Sequence, residues 1–244
     1  MPRIAVVADI HANLAAFEAV IACWGAVDEV WCLGDLVGYG PDPNECVARL
    51  RELPHLCLPG NHDWAALGRI DTGDFNPAAR VAAEWTASAL SSQTRTYLAS
   101  LSETLVREPF TLVHGSLRSP IWEYLIDQAS ARANFDLLET DYCLIGHSHV
   151  PLMFATRDDG RIDARLLSPD GPFELGGARR FLNPGSVGQP RDGDPRASFG
   201  IVDLDGPRAH FELVRVEYPI EETQARMRAV GLPEPLARRL AFGK

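Results

Sequence analysis

Positive charge is what this sequence has least of. Against 33 Asp and Glu stand 23 Lys and Arg, a formal net charge of -10 over 244 residues. Sequence-independent binding to nucleic acid or to an anionic membrane surface rewards clustered cations, so both classes are disfavoured. A compact polyanionic substrate would need a local positive charge from elsewhere, and metal ions can supply it. Cysteine is sparse and unpatterned: the five thiols, at 23, 32, 46, 57 and 143, contain no Cys-x-x-Cys spacing and form an odd set. They read as reduced, buried thiols of a cytoplasmic protein. No stretch approaches transmembrane length, and there is no repeat, low-complexity tract or interdomain linker. The chain runs straight into an apolar segment, leaving no room for a signal peptide, which again predicts the cytoplasm. With 46% hydrophobic and 23% charged residues it can bury a full core, and one domain over residues 1–244 is expected.

What is present is a repeated pattern. Five short apolar runs end abruptly on residues that bind metals or move protons: IAVVAD at Asp9, VWCLGD at Asp35, LCLPGNH at His62, TLVH at His114 and CLIGHSH at His149. Each run is rich in Val, Ile, Leu or Cys and bounded by Gly or polar residues, the signature of a buried strand. Of seven histidines, His11, His62, His114, His147 and His149 lie at these ends, and only His55 and His210 elsewhere. Open α/β sheets bind ligands at the carboxyl ends of strands, so these side chains are expected to meet in one place.

The first two-thirds alternate strand and helix. After Asp9 comes a helical repeat capped by Asn13, and after Asp35 a Gly-Tyr-Gly turn leads to a helix with Asp42 as cap and Pro43 in first position. A helical excursion covers about 64–101, broken near Ser91 and Ser92, and forms a lid over one side of the sheet; a further helix runs from about Ser130 to Glu139. Beyond His149 two hairpins turn on Asp159-Gly160 and Asp205-Gly206 and extend the second sheet. Between them lies a Gly- and Pro-rich loop, 183–195, too long for an idle connection, and the chain ends in helix. The pattern predicts two packed sheets with helices on the outer faces.

The residue types at the strand ends suit a metal site. Asp9 and His11 lie two apart in an extended segment and project the same way. Asp35 offers two oxygens able to bridge cations, and Asn61 an amide oxygen. His62 beside it can donate a proton, with Asp63 placed to orient the imidazole. His114, His147 and His149 add imidazoles, enough in all for two metals sharing one carboxylate. Mixed imidazole and oxygen donors suit Mn, Fe, Ni, Co or Zn better than Mg, and the absence of cysteine ligands disfavours structural zinc.

These motifs, Asp9-Ile10-His11, Gly34-Asp35, Gly60-Asn61-His62-Asp63, His114 and Gly146-His147-Ser148-His149, resemble the calcineurin-like metallophosphoesterases. The segments GDLVGYGPDPNECV and NPGSVGQPRDGDPRASF resemble a small prokaryotic, phosphodiesterase-like branch. The resemblance implies an α/β fold, a four-layer sandwich of two mixed β-sheets flanked by helices. It implies that Asp9, His11 and His149 bind one metal, that Asn61, His114 and His147 bind the other, and that Asp35 bridges them. His62 then protonates the leaving oxygen with Asp63 behind it. Two departures stand out. Many relatives have Gly where this chain has Ala12, a change tolerated unless the backbone there needs positive φ. GDLVGYG also lacks the Asp-Arg-Gly extension of protein Ser/Thr phosphatases, and Asp63 replaces their Glu, which disfavours protein phosphatase activity.

The expected function is a cytoplasmic phosphoester hydrolase using a dinuclear centre and cation-activated hydroxide, with a small phosphodiester as substrate and neither membrane nor sequence-specific nucleic acid as partner. A phosphomonoesterase, a dinucleoside polyphosphate hydrolase and a non-catalytic scaffold of the same fold are the alternatives. Asn183 and Arg191 are candidates to touch substrate, since Arg suits bidentate phosphate binding. Tyr39 is a candidate to stack on a base or aryl group, or else a packing residue at the rim.

Overall fold

The protein's computed structural model describes residues 2–206 and 208–244. Two six-stranded mixed sheets stand face to face. The first runs β3 (His55–Cys57), β2 (Glu29–Cys32), β1 (Arg3–Val7), β11 (Ala197–Asp205), β12 (Arg208–Val216) and β9 (Phe173–Glu174). The second runs β4 (Thr104–Arg107), β5 (Phe110–Val113), β6 (Tyr142–Leu144), β10 (Arg180–Pro184), β7 (Pro151–Thr156) and β8 (Ile162–Leu166). Strands β1, β2 and β3 are mutually parallel, as are β5, β6 and β10. The candidate residues follow β1, β2, β3, β5 and β6, so they all leave from carboxyl ends.

The unbroken apolar runs have a simple cause: these strands are covered on both faces. In β1, Ile4 and Val6 point between the sheets with Trp31, Leu33, Phe110, Leu112 and Leu144. Their neighbours Ala5 and Val7 point outward, with Val30 and Cys32, into a second apolar layer. That outer layer is closed by α1 (Leu14–Cys23), α2 (Pro43–Arg51) and α5 (Ser92–Ala99) through Phe17, Val47 and Leu98. On the far side, Val113, Cys143 and Phe181 meet Ala131 and Phe135 of α6 (Gln128–Phe135). The order helix, sheet, sheet, helix makes four layers. A satellite cluster joins Tyr39 and Phe75 to α4 (Pro77–Ala89), α7 (Ile220–Ala229) and α8 (Glu234–Arg239). The short α3 (Asn61–Ala66) adds Ala65 to it.

Several expectations shift. Only the β7–β8 hairpin extends the second sheet; β11 and β12 lie in the first, with β11 antiparallel beside β1 and Ala5 opposite Ile201. The chain changes sheets after β10, and Val187 N donates to Ala8 O at 3.0 Å as it does so. The turn joining β11 to β12 includes Pro207, which lies outside the described residues. Helix α6 begins earlier than Ser130, because Asp127 accepts from the amides of Ala129 and Ser130. Asn13 caps α1 through Ala16 N, but Asp42 makes no cap hydrogen bond; its buried carboxylate pairs with Arg226. Four cysteines are buried and free, and Cys23 is exposed.

The inter-sheet layer should dominate stability. Phe211 is fully buried there, with Gly200 against its ring. Phe211→Ala is expected to cost about 3 to 5 kcal/mol in urea unfolding, against less than about 0.5 kcal/mol for Leu166→Ala at a position 69% exposed. Equal losses would contradict this placement of the core.

Candidate metal centre

The strand ends are held at unusual backbone angles. Asp9, His11, Asp35, His147 and His149 all have φ between 48° and 66°, and Ala12 has φ 51°. Left-handed conformations cost L-residues about 1 to 2 kcal/mol each, so the surrounding structure must impose them. A lattice of main-chain bonds does so: Asp9 N to Gly34 O, His11 N to Asp35 O, Ala12 N to Leu36 O, and Gly146 N to His114 O, at 2.8 to 3.0 Å. The condition attached to Ala12 is therefore met, and the residue occupies a conformation that glycine adopts without strain. Gly60 is needed for space, since a Cβ there would collide with the Asp35 carboxylate.

Four main-chain carbonyls fix four imidazoles. His11 Nδ1 faces Val37 O at 3.2 Å, His114 Nδ1 faces Leu33 O at 2.8 Å, and His149 Nδ1 faces Gln189 O at 2.6 Å. His147 is turned the other way, with Nε2 3.2 Å from Trp122 O. A carbonyl only accepts, so the nitrogen facing it carries hydrogen and the opposite nitrogen of a neutral ring presents a lone pair. His11 Nε2 and His149 Nε2 then point lone pairs at each other across 3.1 Å. A shared proton or a metal ion beside them would relieve that repulsion.

The carboxylates complete the pattern. Asp9 Oδ2 accepts from His147 N and Asp35 Oδ1 from His62 N, which leaves Asp9 Oδ1 and Asp35 Oδ2 buried without partners. Asn61 Oδ1 and His114 Nε2 are orphaned in the same way. Asp35 Oδ2 stands 3.5 Å from both His11 Nε2 and His114 Nε2, and Asp9 Oδ1 3.4 Å from His149 Nε2. Buried polar atoms without partners are expensive, and here they cluster where divalent cations would satisfy them. Two sets of donors converge within 4.8 Å: Asp9, His11, Asp35 and His149, and Asp35, His114 and His147.

The remaining candidates divide. His62 belongs to neither set; its ring packs 4.2 Å from Tyr39 and 4.8 Å from Phe75, and its Nδ1 is buried without a partner. Asp63 does not orient that ring. Its carboxylate accepts from the amides of Gly60, Leu36 and Val37, tying the loop after β3 to the loop that carries Asp35. Asn183 is likewise engaged within the protein, donating to Gly146 O and the Ser148 hydroxyl while accepting from Gly185 N. It braces the His147 loop and has no group left for substrate. Tyr39 is 6% exposed, edge-on to His11 and beneath Arg191, so its ring is packing. Arg191 bonds to Gln189 Oε1 and makes no salt bridge among the described residues. Sequence reasoning missed Gln189, which fixes His149 through its carbonyl and Arg191 through its side chain. It also missed Trp122 and Tyr124, the latter stacked on His147 at 3.9 Å. The Trp-Glu-Tyr string was the available signal.

Imidazole and carboxylate donors thus converge at the shared mouth of the two sheets in a cage able to hold metal. The chain belongs to the calcineurin-like phosphoesterase superfamily, whose domain profile matches residues 2–206. It is 45% identical to a metallophosphoesterase from Sphaerobacter thermophilus of known crystal structure, over 100% of this chain and 99% of that one, with a TM-score of 0.89. It is 37% identical to an uncharacterized protein of Methanocaldococcus jannaschii, over 99% of this chain and 98% of the relative. A hypothetical protein from Pyrococcus horikoshii OT3, 21% identical and covering 100% and 99% of the two chains, shares the fold at a TM-score of 0.80. Membership of this family makes the chain a phosphoester hydrolase, and its buried Asp and His groups are able to bind metal. No helix among the described residues is long and apolar enough to cross a membrane.

Protons compete with metal for these atoms. Burial raises the Asp9 carboxyl to about 8 and, with Asp35 adding, Asp63 to about 7. Burial lowers His62 to about 4 and His147 to about 3, and takes His11 and His149 well below the imidazole range. Burial also opposes charge on Asp35 and His114, yet the two hold each other ionised: Asp35 stays well below the carboxylate range and His114 rises to about 9. The four lowered histidines bind fewer protons folded than unfolded, so their contribution is lost as pH falls below about 6.5. Asp9, Asp63 and His114 bind more protons folded, so theirs is lost as pH rises toward their folded values. The histidines outnumber the two raised carboxyls on the acid side. Chelated protein is therefore expected to melt highest near about pH 6.5 to 7. Added Mn or Zn should raise the midpoint most on the alkaline side, where protons no longer compete. A flat profile in chelator, or no response to metal, would overturn this reading.

Proposed function

We propose that the protein is a phosphodiesterase that holds two divalent cations, with Asp35 shared between them. The observation that carries this is the membership of Asp35 in both donor sets, its orphaned Oδ2 equidistant from His11 and His114. Asp9, His11 and His149 would hold one cation, and His114, His147 and Asn61 the other. Bound cations supply an activated water and neutralise charge on phosphoryl oxygens. The donor set favours Mn, Fe, Ni, Co or Zn. Four buried free cysteines support a reducing, cytoplasmic setting.

The chain's own residues do the rest. Arg191, which makes no salt bridge among the described residues, offers a guanidinium to phosphate oxygens, and Gln189 holds it in place. Its one charge can pair with the single negative charge of a diester, which supports the diester reading. His62 lies edge-on to His11, with ring centroids 5.0 Å apart, and would give the leaving oxygen its proton. Burial keeps that ring unprotonated, and an anionic phosphoryl group beside it favours the protonated form. Asp63 contributes by fixing the loops on which His62 and Asp35 ride.

His62→Asn is expected to lower turnover by about 100- to 10,000-fold with metal content as in the wild type; unchanged turnover would remove His62 from the reaction. Asp35→Ala should reduce elemental analysis from about two metals per chain to less than one. Two full sites in that variant would refute the shared carboxylate. Bis-p-nitrophenyl phosphate should be cleaved faster than p-nitrophenyl phosphate, and the reverse order would make the protein a monoesterase.

A further inference from the structure

The loop of residues 115–127, between β5 and α6, places two large aromatic side chains in water at the edge of the cage. Trp122 is 39% exposed and Tyr124 46% exposed. Both are tied to the candidate ligand His147. The Trp122 carbonyl accepts from His147 Nε2 at 3.2 Å, and the Tyr124 ring lies on the His147 imidazole with planes only 14° apart. One face of Tyr124 is thus covered by a candidate ligand, and its exposure comes from the rest of the ring. Trp122 meets Phe75 edge to face at 5.8 Å, and Phe75 packs on His62. The two rings are therefore anchored separately, one to the donor cage and one to the wall behind the proton donor.

Arg191 connects them to the place where phosphate would sit. Its guanidinium is 5.7 Å from the Tyr39 ring centroid, and its charge acts on the Tyr124 phenol, on Asp9 and on His62. An anion held by Arg191 and the cage would have its ester substituent beside Trp122 and Tyr124. Tyr39 is unavailable for stacking because Arg191 and His62 already lie against it. Exposed rings with fixed orientation offer flat surfaces at low entropic cost, and stacking on a planar partner removes their apolar faces from water.

We propose that Trp122 and Tyr124 form an aromatic subsite that selects phosphoesters whose esterified group carries a flat aromatic ring, whether a simple aryl group or a nucleobase. This rests on the phosphoester reading above and specifies its substrate. A stacked ring of this kind tightens binding by about 5- to 100-fold.

The test uses non-hydrolysable probes, so that it is separate from turnover. Calorimetry on the metal-loaded protein compares phenylphosphonate with methylphosphonate, and adenosine 5′-(α,β-methylene)diphosphate with methylenediphosphonate. Wild type should bind the aromatic member of at least one pair about 5- to 100-fold more tightly, and the pair that responds identifies the source of the ring. In Trp122→Leu and Tyr124→Leu this ratio should fall toward one, with Trp122→Phe restoring part of it. In unmodified protein, the aromatic probe should slow oxidation of Trp122 by N-bromosuccinimide more than its partner does. A wild-type ratio near one for both pairs would overturn the proposal, as would ratios unchanged by the leucine substitutions or equal protection by both probes. Absence of hydrolysis of every phosphoester with Mn, Fe, Ni, Co or Zn would instead sink the enzymatic reading, and selective phosphonate binding would still be measurable.

Discussion

The arrangement on which the rest depends is a set of lone pairs aimed at one another. Hydrogen bonds to main-chain carbonyls decide the tautomer of His11, His114, His147 and His149 before any ligand arrives. Once those hydrogens are fixed, the opposite nitrogens and the free oxygens of Asp9 and Asp35 have only a proton or a metal ion to share. The cage therefore selects for positive charge, because only a proton or a metal ion satisfies the atoms it turns inward. An acidic protein with net charge -10 can in this way present a cationic surface to an anion, because the cations are borrowed.

Holding that cage costs conformational energy, which the sandwich offsets. Five candidate ligands sit in the left-handed region of backbone space, and each is pinned by a main-chain or carboxylate bond from a neighbouring loop. Asp63 and Asn183 serve this purpose: neither faces a substrate, and both clamp loops that carry ligands. The dry layer around Phe110, Leu144 and Phe211 fixes the strands from which the loops spring.

The strands and the donors were legible in the sequence because their physics is local. A strand buried on both faces must be apolar throughout, and its end is marked by the first residue that cannot stay there; Asp9, Asp35 and His114 follow that rule. Sheet membership was less legible. The β11–β12 hairpin looks the same in sequence whichever sheet receives it, and only the pairing of Ala5 with Ile201 decides. Side-chain targets were also hidden, since a carboxylate one residue from a histidine suggests a partner in one dimension. In three dimensions Asp63 faces three amides contributed by 36, 37 and 60. Tyr39 and the pair Trp122 and Tyr124 are equally aromatic on paper, and burial alone separates packing from a free surface.

One detail of the loop after His114 bears on how such a protein diverges. The group that orients His147 is the carbonyl of residue 122, which every amino acid possesses, whereas the tryptophan ring at the same position projects into solvent. Reactivity and recognition are thus assigned to different parts of one residue. A lineage can exchange side chains along this loop and retune what it admits while the cage stays intact, provided that the path of the main chain is kept.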